Sequence, residues 1–262
     1  MKKTRLPALP FALPTELDRL LAGAAVYDSS SSPEARVYYI DRNGGYYLKR
    51  AARGTLEREA QLTSYFHSLS LGAEVLSYRS TDTHDLLLTA RLDGEDGVHP
   101  SHLADPKRLC DVLATSLRAL HETAPHGCPV PQRTREYLKT VEDNAQRGHA
   151  DLSLFGDEHP FRSAEEALST VRDGASALRC DTLLHGDFCL PNVILRDFRT
   201  VGFIDLGNGG VGDRHIDVFW GMWTLWFNLR THALDGRFLD AYGRDVIDEG
   251  LLRVVAAAEI FG

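Results

Sequence analysis

Two aspartates and one asparagine follow short apolar runs in the segment 183–210. Asp187 comes directly after LLHG, Asn192 lies five residues further on, and Asp205 ends the run VGFID. One carboxylate can take a proton from an attacking hydroxyl, while a second carboxylate and an amide oxygen suit Mg²⁺. The same Asp-to-Asn spacing occurs in the catalytic loop of kinases. The segment therefore predicts phosphoryl transfer from ATP, with Asp187 catalytic and with Asn192 and Asp205 as metal ligands.

A cation that would neutralise the phosphates is predicted upstream, at Lys49 in the run YYLKR. The alternative is a solubilising charge on an edge strand. Glu59, ten residues later on a predicted helix, could pair with Lys49 and direct it towards phosphate. Glu57 is the rival partner, but Glu59 fits better because it precedes the apolar face that begins at Ala60.

Alternation, periodicity and turn residues predict which elements position these side chains. An Asn-Gly turn joins strands at 37–40 and 46–50, a helix spans 55–69, and strands follow at 75–78 and 84–92. Residues 93–102 are rich in Gly and Asp and are the predicted hinge, after which the pattern becomes mostly helical. We therefore predict a bilobal, protein-kinase-like α+β fold. A β-rich nucleotide-binding lobe spans 1–92, and a larger helical lobe, with the hinge, spans 93–262 and carries catalysis and substrate binding.

The composition of the 262-residue chain limits the classes of partner. It is 43% hydrophobic with a net charge of −8, which disfavours nucleic acid and anionic membranes and favours cationic ligands. No apolar run approaches the length of a membrane span, and prolines interrupt the N-terminal stretch, so a signal peptide is not expected. The four cysteines form no C-x-x-C pair. We expect reduced thiols and a cytoplasmic protein.

The segments HGDFCLPN, GFIDLG and GDRHIDV resemble those of aminoglycoside phosphotransferases, and most closely the 3′-phosphotransferases. The similarity extends to SPEARVYYI, the LERE helix, ALHET and the C-terminal AEIFG. It implies transfer of the γ-phosphate of ATP, with Mg²⁺, to a hydroxyl of an aminoglycoside antibiotic, with the 3′-hydroxyl expected, and hence antibiotic resistance. The implied partner is a small cationic aminosugar, bound by a monomer or weak dimer.

The resemblance also implies nucleotide contacts in the N-terminal lobe. Tyr47 would stack on adenine, and the backbone of Ala90 and Leu92 would hydrogen-bond it. A phosphate-binding serine would be Ser31 or Ser32, although the run 29–32 is also an ordinary Ser-rich loop. The remaining nucleotide-binding positions that we assign are Lys49, Glu59 and Ile204.

Acidic groups in the C-terminal lobe are the acceptor ligands implied by the resemblance. They are Asp157, Glu158, Glu259 and the terminal carboxylate at Gly262, and each of the acids is equally well a solvated surface residue. Asp217 and His185 correspond to positions that brace the catalytic loop. His121 is expected to be a core or capping histidine.

The chain departs from the family pattern near the acceptor positions. An arginine that commonly follows the D-x-G triplet is Asn208 here, Ala258 replaces one of two C-terminal acids, and charged positions after Asp217 become FWGMWTLWF. A buried helix is favoured for the aromatic run, and a wall that packs against sugar rings is the alternative. These departures leave open a kinase of the same fold with another small hydroxylated acceptor, or an inactive nucleotide-binding homologue. A metallohydrolase is excluded because His185 and Asp187 lack companion ligands.

Overall fold

The computed structural model describes residues 3–30, 32, 35–156 and 160–262. The strands are β1 (Thr4–Leu6), β2 (Ala25–Asp28), β3 (Ala35–Asp41), β4 (Tyr46–Ala52), β5 (Val75–Ser80), β6 (His84–Ala90), β7 (Glu95–Asp96), β8 (Thr182–Leu184), β9 (Val193–Arg196), β10 (Arg199–Phe203) and β11 (Gly210–Gly212). The α-helices are α1 (Thr15–Leu21), α2 (Glu57–Ser68), α3 (Pro100–Leu103), α4 (Pro106–His121), α5 (Arg133–Gln146), α6 (Ala164–Gly174), α7 (Arg214–Leu229), α8 (Asp235–Tyr242) and α9 (Glu249–Glu259).

Backbone contacts divide the chain into two compact units. Unit 1 comprises the residues up to His99 together with Pro191–Gly207, and unit 2 comprises Pro100–Leu190 and Asn208–Gly262. The sequence-based boundary at residue 92 differs from this division because β9 pairs with β7, and Phe203 at the end of β10 donates to the Leu71 carbonyl at 2.8 Å. The segment that ends at Asp205 therefore belongs with the N-terminal residues.

Unit 1 is built on an antiparallel sheet of order β1-β2-β3-β4-β6-β5. The predicted β3–β4 hairpin is present, and Asn43 and Gly44 adopt the positive φ angles of 49° and 90° that its turn needs. Because side chains alternate along a strand, the two faces differ. One face packs Tyr38, Ile40 and Leu48 against α1, and the other packs Leu87 against α2.

Unit 2 is mainly helical, with a core formed by α5, α6, α7 and α9 and a short β8–β11 pair. The sequence analysis missed α5, whose 133–146 span is rich in charged residues and has few apolar ones. The C-terminal region is helical, as the sequence pattern predicts, and consists of α7, α8 and α9. Helix α7 ends where Arg230 takes the left-handed φ of 55°. Within the described residues, no helix is both long and apolar enough to cross a membrane.

Candidate active site

Lys49 is the centre of an ion-paired group in unit 1. Its Nζ lies 2.8 Å from Oε2 of Glu59 and 2.7 Å from Oδ1 of Asp205. Glu59 is buried on the inner face of α2, whereas Glu57 is exposed, so the register of the helix selects Glu59 as the partner. The fold thus brings Asp205 to a lysine that is 156 positions away in the sequence.

The electrostatics of this group keep Lys49 charged. Burial disfavours its ammonium form, but the negative charges of Glu59 and Asp205 outweigh burial and raise the pKa of Lys49. Burial also raises the pKa of Glu59, and the adjacent Lys49 opposes that increase. The result is a fixed cation whose position two carboxylates determine.

A backbone hydrogen bond joins the segments that carry Asn192 and Asp205. The amide of Ile204, the residue before Asp205, donates to the Asn192 carbonyl at 3.0 Å. Asp205 has a φ of 60°, a left-handed conformation that is uncommon outside glycine and recurs at functional sites. No cluster of three or more His, Cys, Asp or Glu suited to a metal occurs in the described parts of the chain. A carboxylate and an amide nonetheless fit Mg²⁺, which is commonly held by one or two protein carboxylates with phosphate oxygens and water.

A cavity of about 360 Å³ lies in unit 1 beside this group. The predicted nucleotide and metal residues that line it are Tyr47, Lys49, Glu59, Ala90, Leu92, Asn192, Ile204 and Asp205. The sequence reasoning did not identify other lining residues, which include Lys3, Ser29, Thr63, Thr89 and Asp96. Alternation along β4 brings Tyr47 and Lys49 to this face. Thr89 lies opposite Tyr47 on β6, so the register between β4 and β6 is the information that would have identified it.

Among the described serines of the Ser-rich loop, Ser29 lines the cavity, and it is buried. Ser32 is exposed and is absent from the lining, while Ser31 lies outside the described residues. The adjacent Ser30 is tied to β3, because the Val37 amide donates to its Oγ at 2.9 Å. The phosphate-binding role predicted for Ser31 or Ser32 stays a prediction, and the register of a site within four identical residues cannot be read from the sequence.

The predicted catalytic loop, which in unit 2 comprises residues 185–190, is held by a buried carboxylate on α7. Oδ2 of Asp217 accepts from the His185 amide and Oδ1 accepts from the Gly186 amide, each at 2.7 Å. Gly186 has a φ of 85°, and a Cβ there would lie 1.9 Å from the Asn208 carbonyl oxygen, so only glycine fits. Asp187 follows directly and is partly exposed.

His121 is a buried core histidine that extends this brace. Its Nε2 lies 3.2 Å from Oδ2 of Asp217, and its Nδ1 lies 2.7 Å from the Tyr242 hydroxyl. Burial lowers the pKa of His121, against the raising effect of Asp217. The neutral imidazole therefore links α4, α7 and α8 behind the catalytic loop.

Glu259 lies near the C-terminus in a polar pocket of unit 2. Its Oε1 accepts from the Tyr137 hydroxyl at 2.9 Å and from Nε1 of Trp220 at 3.1 Å. Burial raises the pKa of Glu259 to about 7, and the negative charge of Asp187 acts in the same direction. Gly262 is exposed, and a Cβ added to it would lie 2.8 Å from Oε2 of Glu259, so the chain end adjoins this carboxylate. Asp157 and Glu158 lie outside the described residues.

The aromatic run of α7 is only half buried, which corrects the expectation of a buried helix. The face with Phe219 and Leu225 is buried, but the three tryptophans are partly exposed and Phe227 is 42% exposed. Trp223 stacks on Phe227 with ring centroids 4.7 Å apart. A cavity of about 310 Å³ adjoins these exposed aromatic side chains. Its lining is largely aromatic and apolar and includes Phe155, Phe161, Phe219, Met222, Trp223 and Trp226.

An antiparallel sheet with a buried Lys–Glu pair, followed by a helical unit with a braced catalytic loop, defines a protein-kinase-like fold. Comparison with solved structures agrees with that class. The structure is similar to aminoglycoside-3′-phosphotransferase of type VIII, with a TM-score of 0.73 and 22% identity over 94% of this chain and 97% of the other. It is also similar to an aminoglycoside phosphotransferase of Streptomyces rimosus in complex with ADP and streptomycin, with a TM-score of 0.71 and 22% identity over 86% and 90% of the two chains.

Sequence comparison gives the family. The profile of the phosphotransferase enzyme family matches residues 30–254. The chain is 49% identical over 249 residues, 95% of each chain, to a probable aminoglycoside 3′-phosphotransferase of Lactococcus lactis. The chain therefore belongs to the phosphotransferase enzyme family, among the aminoglycoside phosphotransferases, and the predicted resemblance and α+β fold are confirmed.

Proposed function

We propose that this protein is an ATP-dependent O-phosphotransferase that transfers the γ-phosphate to a hydroxyl, the 3′-hydroxyl, of an aminoglycoside antibiotic. The observation that carries the proposal is the Lys49 ammonium held between Glu59 and Asp205 in a cavity that Asn192 also lines. This combination of a cation and metal-binding oxygens is what phosphoryl transfer from ATP requires. The names of the Lactococcus lactis relative and of the Streptomyces rimosus complex with ADP and streptomycin support the nucleotide and the acceptor class.

Unit 1 is the nucleotide-binding part in this proposal. Tyr47 stacks on the adenine, the backbone of Ala90 and Leu92 hydrogen-bonds its edge, and Ile204 packs against it. Lys49 neutralises phosphate charge because its own position is fixed by two carboxylates. The cavity volume of about 360 Å³ lies within the range of cofactor sites.

Asn192 and Asp205 would hold Mg²⁺ in the proposed enzyme. The chemistry that Mg²⁺ would supply there is stabilisation of the negative charge on the transferred phosphate. Asp205 also shares Oδ1 with Lys49, so the same carboxylate connects the lysine to the metal position.

Asp187 is the proposed catalytic residue. Its carboxylate hydrogen-bonds the acceptor hydroxyl and orients it for in-line attack on the γ-phosphorus, and it takes the hydroxyl proton. The brace from Asp217 to the His185 and Gly186 amides fixes the backbone directly before Asp187. Positioning and charge stabilisation then supply most of the rate enhancement.

The acceptor is a polycationic aminosugar in this account, bound in unit 2 by Glu259, the carboxylate of Gly262, Asp157 and Glu158. The net charge of −8 favours such a ligand over anionic ones. We further propose that the enzyme acts in the cytoplasm, where ATP is available, as a monomer or weak dimer, and that its role is antibiotic resistance.

A second candidate function follows from the aromatic cavity of unit 2. Its apolar lining of Phe155, Phe161 and Trp223 would suit an acceptor with an apolar face better than a polycation. The candidate is a kinase of the same fold that phosphorylates a less polar hydroxylated antibiotic or metabolite.

ADP release coupled to a panel of acceptors tests both candidates. We expect release with kanamycin or neomycin, in the presence of ATP and Mg²⁺, above the rate without acceptor. Release only with an uncharged or weakly basic acceptor, such as a macrolide, would favour the second candidate. ATP binding with no release for any acceptor would contradict both and indicate an inactive homologue.

A further inference from the structure

The N-terminal strand β1 brings additional residues to the nucleotide cavity. It pairs antiparallel with β2, with Arg5 opposite Tyr27, and so forms the edge of the six-stranded sheet. The strand lies outside residues 30–254, which the family profile matches. Its contribution to the cavity is therefore a feature that the family match does not cover.

A row of tyrosines connects this edge strand to the cavity. Tyr27, Tyr39 and Tyr47 are cross-strand neighbours on β2, β3 and β4, with ring centroids 6.0 Å and 5.3 Å apart. Tyr47 lines the cavity, so the row faces it. Arg5 stands at the end of this row, and because side chains alternate, the residue two positions earlier, Lys3, projects from the same face.

The Lys3 side chain reaches across the tyrosine row. Its Nζ lies 3.5 Å from the centroid of Tyr39 and 5.6 Å from that of Tyr47, and Lys3 lines the cavity. An ammonium over two aromatic faces gains cation–π stabilisation. Tyr47 precedes Lys49 by two residues on β4, about 7 Å along the strand. The cavity is therefore lined by Lys49 and, towards Tyr47, by Lys3 and by Arg91.

A hydrogen-bond acceptor on a ligand would stabilise the Lys3 ammonium. Partial burial lowers its pKa, the positive charge of Arg91 lowers it further, and Glu95 and Asp41 oppose the decrease. The ammonium is thus partly desolvated beside another cation. A ligand oxygen at this end of the cavity would supply a hydrogen bond that the tyrosine rings do not.

We propose that Lys3 is a further nucleotide-binding residue, which donates a hydrogen bond to the ribose of the nucleotide. The inference rests on the proposed function, in which the base lies at Tyr47 and the phosphates at Lys49. The ribose is the part of the nucleotide that joins these two, and Lys3 is the cation whose ammonium lies over the rings of Tyr39 and Tyr47. Strand β1 contributes to the nucleotide site by presenting this residue.

Steady-state kinetics of Lys3→Met test the inference, because methionine keeps the length of the side chain and removes the charge. We expect the KM for ATP to rise about three- to tenfold, with kcat and the acceptor KM unchanged, and Lys3→Arg to restore most of the loss. Lys107→Met, at an exposed position on α4, is the matched control for loss of one charge and should leave all constants unchanged.

A KM for ATP within twofold of the parent in Lys3→Met would overturn the inference. A purely structural cation–π contact would instead lower the thermal midpoint of the ligand-free variant without changing the KM, and that result would overturn it too. Calorimetric titration with ATP separates this failure from that of the proposed function. If the parent binds no ATP, both fail; if parent and variant bind ATP equally, only the role of Lys3 fails.

Discussion

Lys49 donates to two carboxylates at once, and only one of them is a proposed metal ligand. Glu59 is enclosed by α2 and the sheet, whereas the Asp205 side chain is 51% exposed. Both carboxylates position the ammonium, but Glu59 is the enclosed one and Asp205 remains accessible to a ligand. At the residue scale, this asymmetry distinguishes Lys49 from a surface ion pair and is what the proposed phosphate-binding role requires.

Replacing Lys49 by Met should reduce kcat/KM for ATP by about 10- to 100-fold, because a charged hydrogen-bond donor to phosphate is lost. The measurement is ADP release at varied ATP concentrations. Lys139→Met is the matched control, since Lys139 pairs with Asp143 at an exposed site. Equal effects of the two substitutions would mean that Lys49 has no special role.

The pKa of Glu259, raised by burial to about 7, predicts a pH dependence of acceptor binding. Between pH 4.5, the usual pKa of a glutamate, and about pH 7, this carboxyl stays protonated in the folded protein. A cationic acceptor therefore gains the charge interaction with Glu259 only as the pH rises through 7. The acceptor KM should fall between pH 6 and pH 8, by about tenfold at most.

Glu259→Gln separates this effect from titration of the amines of the acceptor itself. The variant should show a high acceptor KM throughout the range, and the component of the pH dependence due to the enzyme should disappear. A parallel pH dependence in parent and variant would remove Glu259 from the acceptor site.

At the scale of elements, the short β8 strand and α7 together define the catalytic loop. Asp217, in the first turn of α7, accepts hydrogen bonds from the His185 and Gly186 amides, which directly follow β8. The start of a helix therefore holds the backbone at the end of a strand. Thr224, two turns further along α7, accepts from the Leu190 amide at 3.1 Å. One helix thus holds both sides of Asp187.

Asp217→Asn should weaken this brace, since the new amide nitrogen faces a backbone N–H in place of an acceptor. An unsatisfied buried donor costs about 1–3 kcal/mol, and we expect a loss of that size in the free energy of unfolding by urea. Turnover should fall more than ATP affinity. Asp240→Asn, where the carboxylate is exposed, provides the comparison, and equal stability of both variants would contradict the brace.

The sequence was sufficient for elements with strong local signals. The β3–β4 hairpin and α2 follow from an Asn-Gly turn and from helical periodicity. The catalytic role that the D-x-x-x-x-N spacing indicates stays a prediction. The sequence was not sufficient for strands whose pairing partners are distant along the chain. The two-residue strand β7 fell within the predicted hinge because only its pairing with β9, about a hundred residues later, makes it a strand.

Two site features escaped the sequence reasoning for the same physical reason. Lys3 reaches the cavity only because β1 adds to the edge of the sheet, and a three-residue strand has no periodic signal. Trp220 donates to Glu259, although 39 residues separate them. In both cases the contact depends on tertiary packing, which a local pattern does not encode.

At the scale of the whole molecule, the net charge of −8 should attract a polycationic acceptor and be screened by salt. Raising the ionic strength from about 0.02 M to about 0.2 M should therefore increase the acceptor KM several-fold with little change in kcat. Steady-state kinetics with kanamycin at fixed saturating ATP measure this. An unchanged acceptor KM would favour the less polar acceptor of the second candidate function.

The most direct test of phosphoryl transfer is the mass of the acceptor after reaction. Kanamycin would be incubated with ATP, Mg²⁺ and either the parent protein or Asp187→Asn, and the product analysed by mass spectrometry. We predict the addition of one phosphoryl group by the parent and a decrease in initial rate of about 10²- to 10⁴-fold in the variant, with ATP binding kept. Unmodified kanamycin with the parent, or equal rates for the two proteins, would contradict the account.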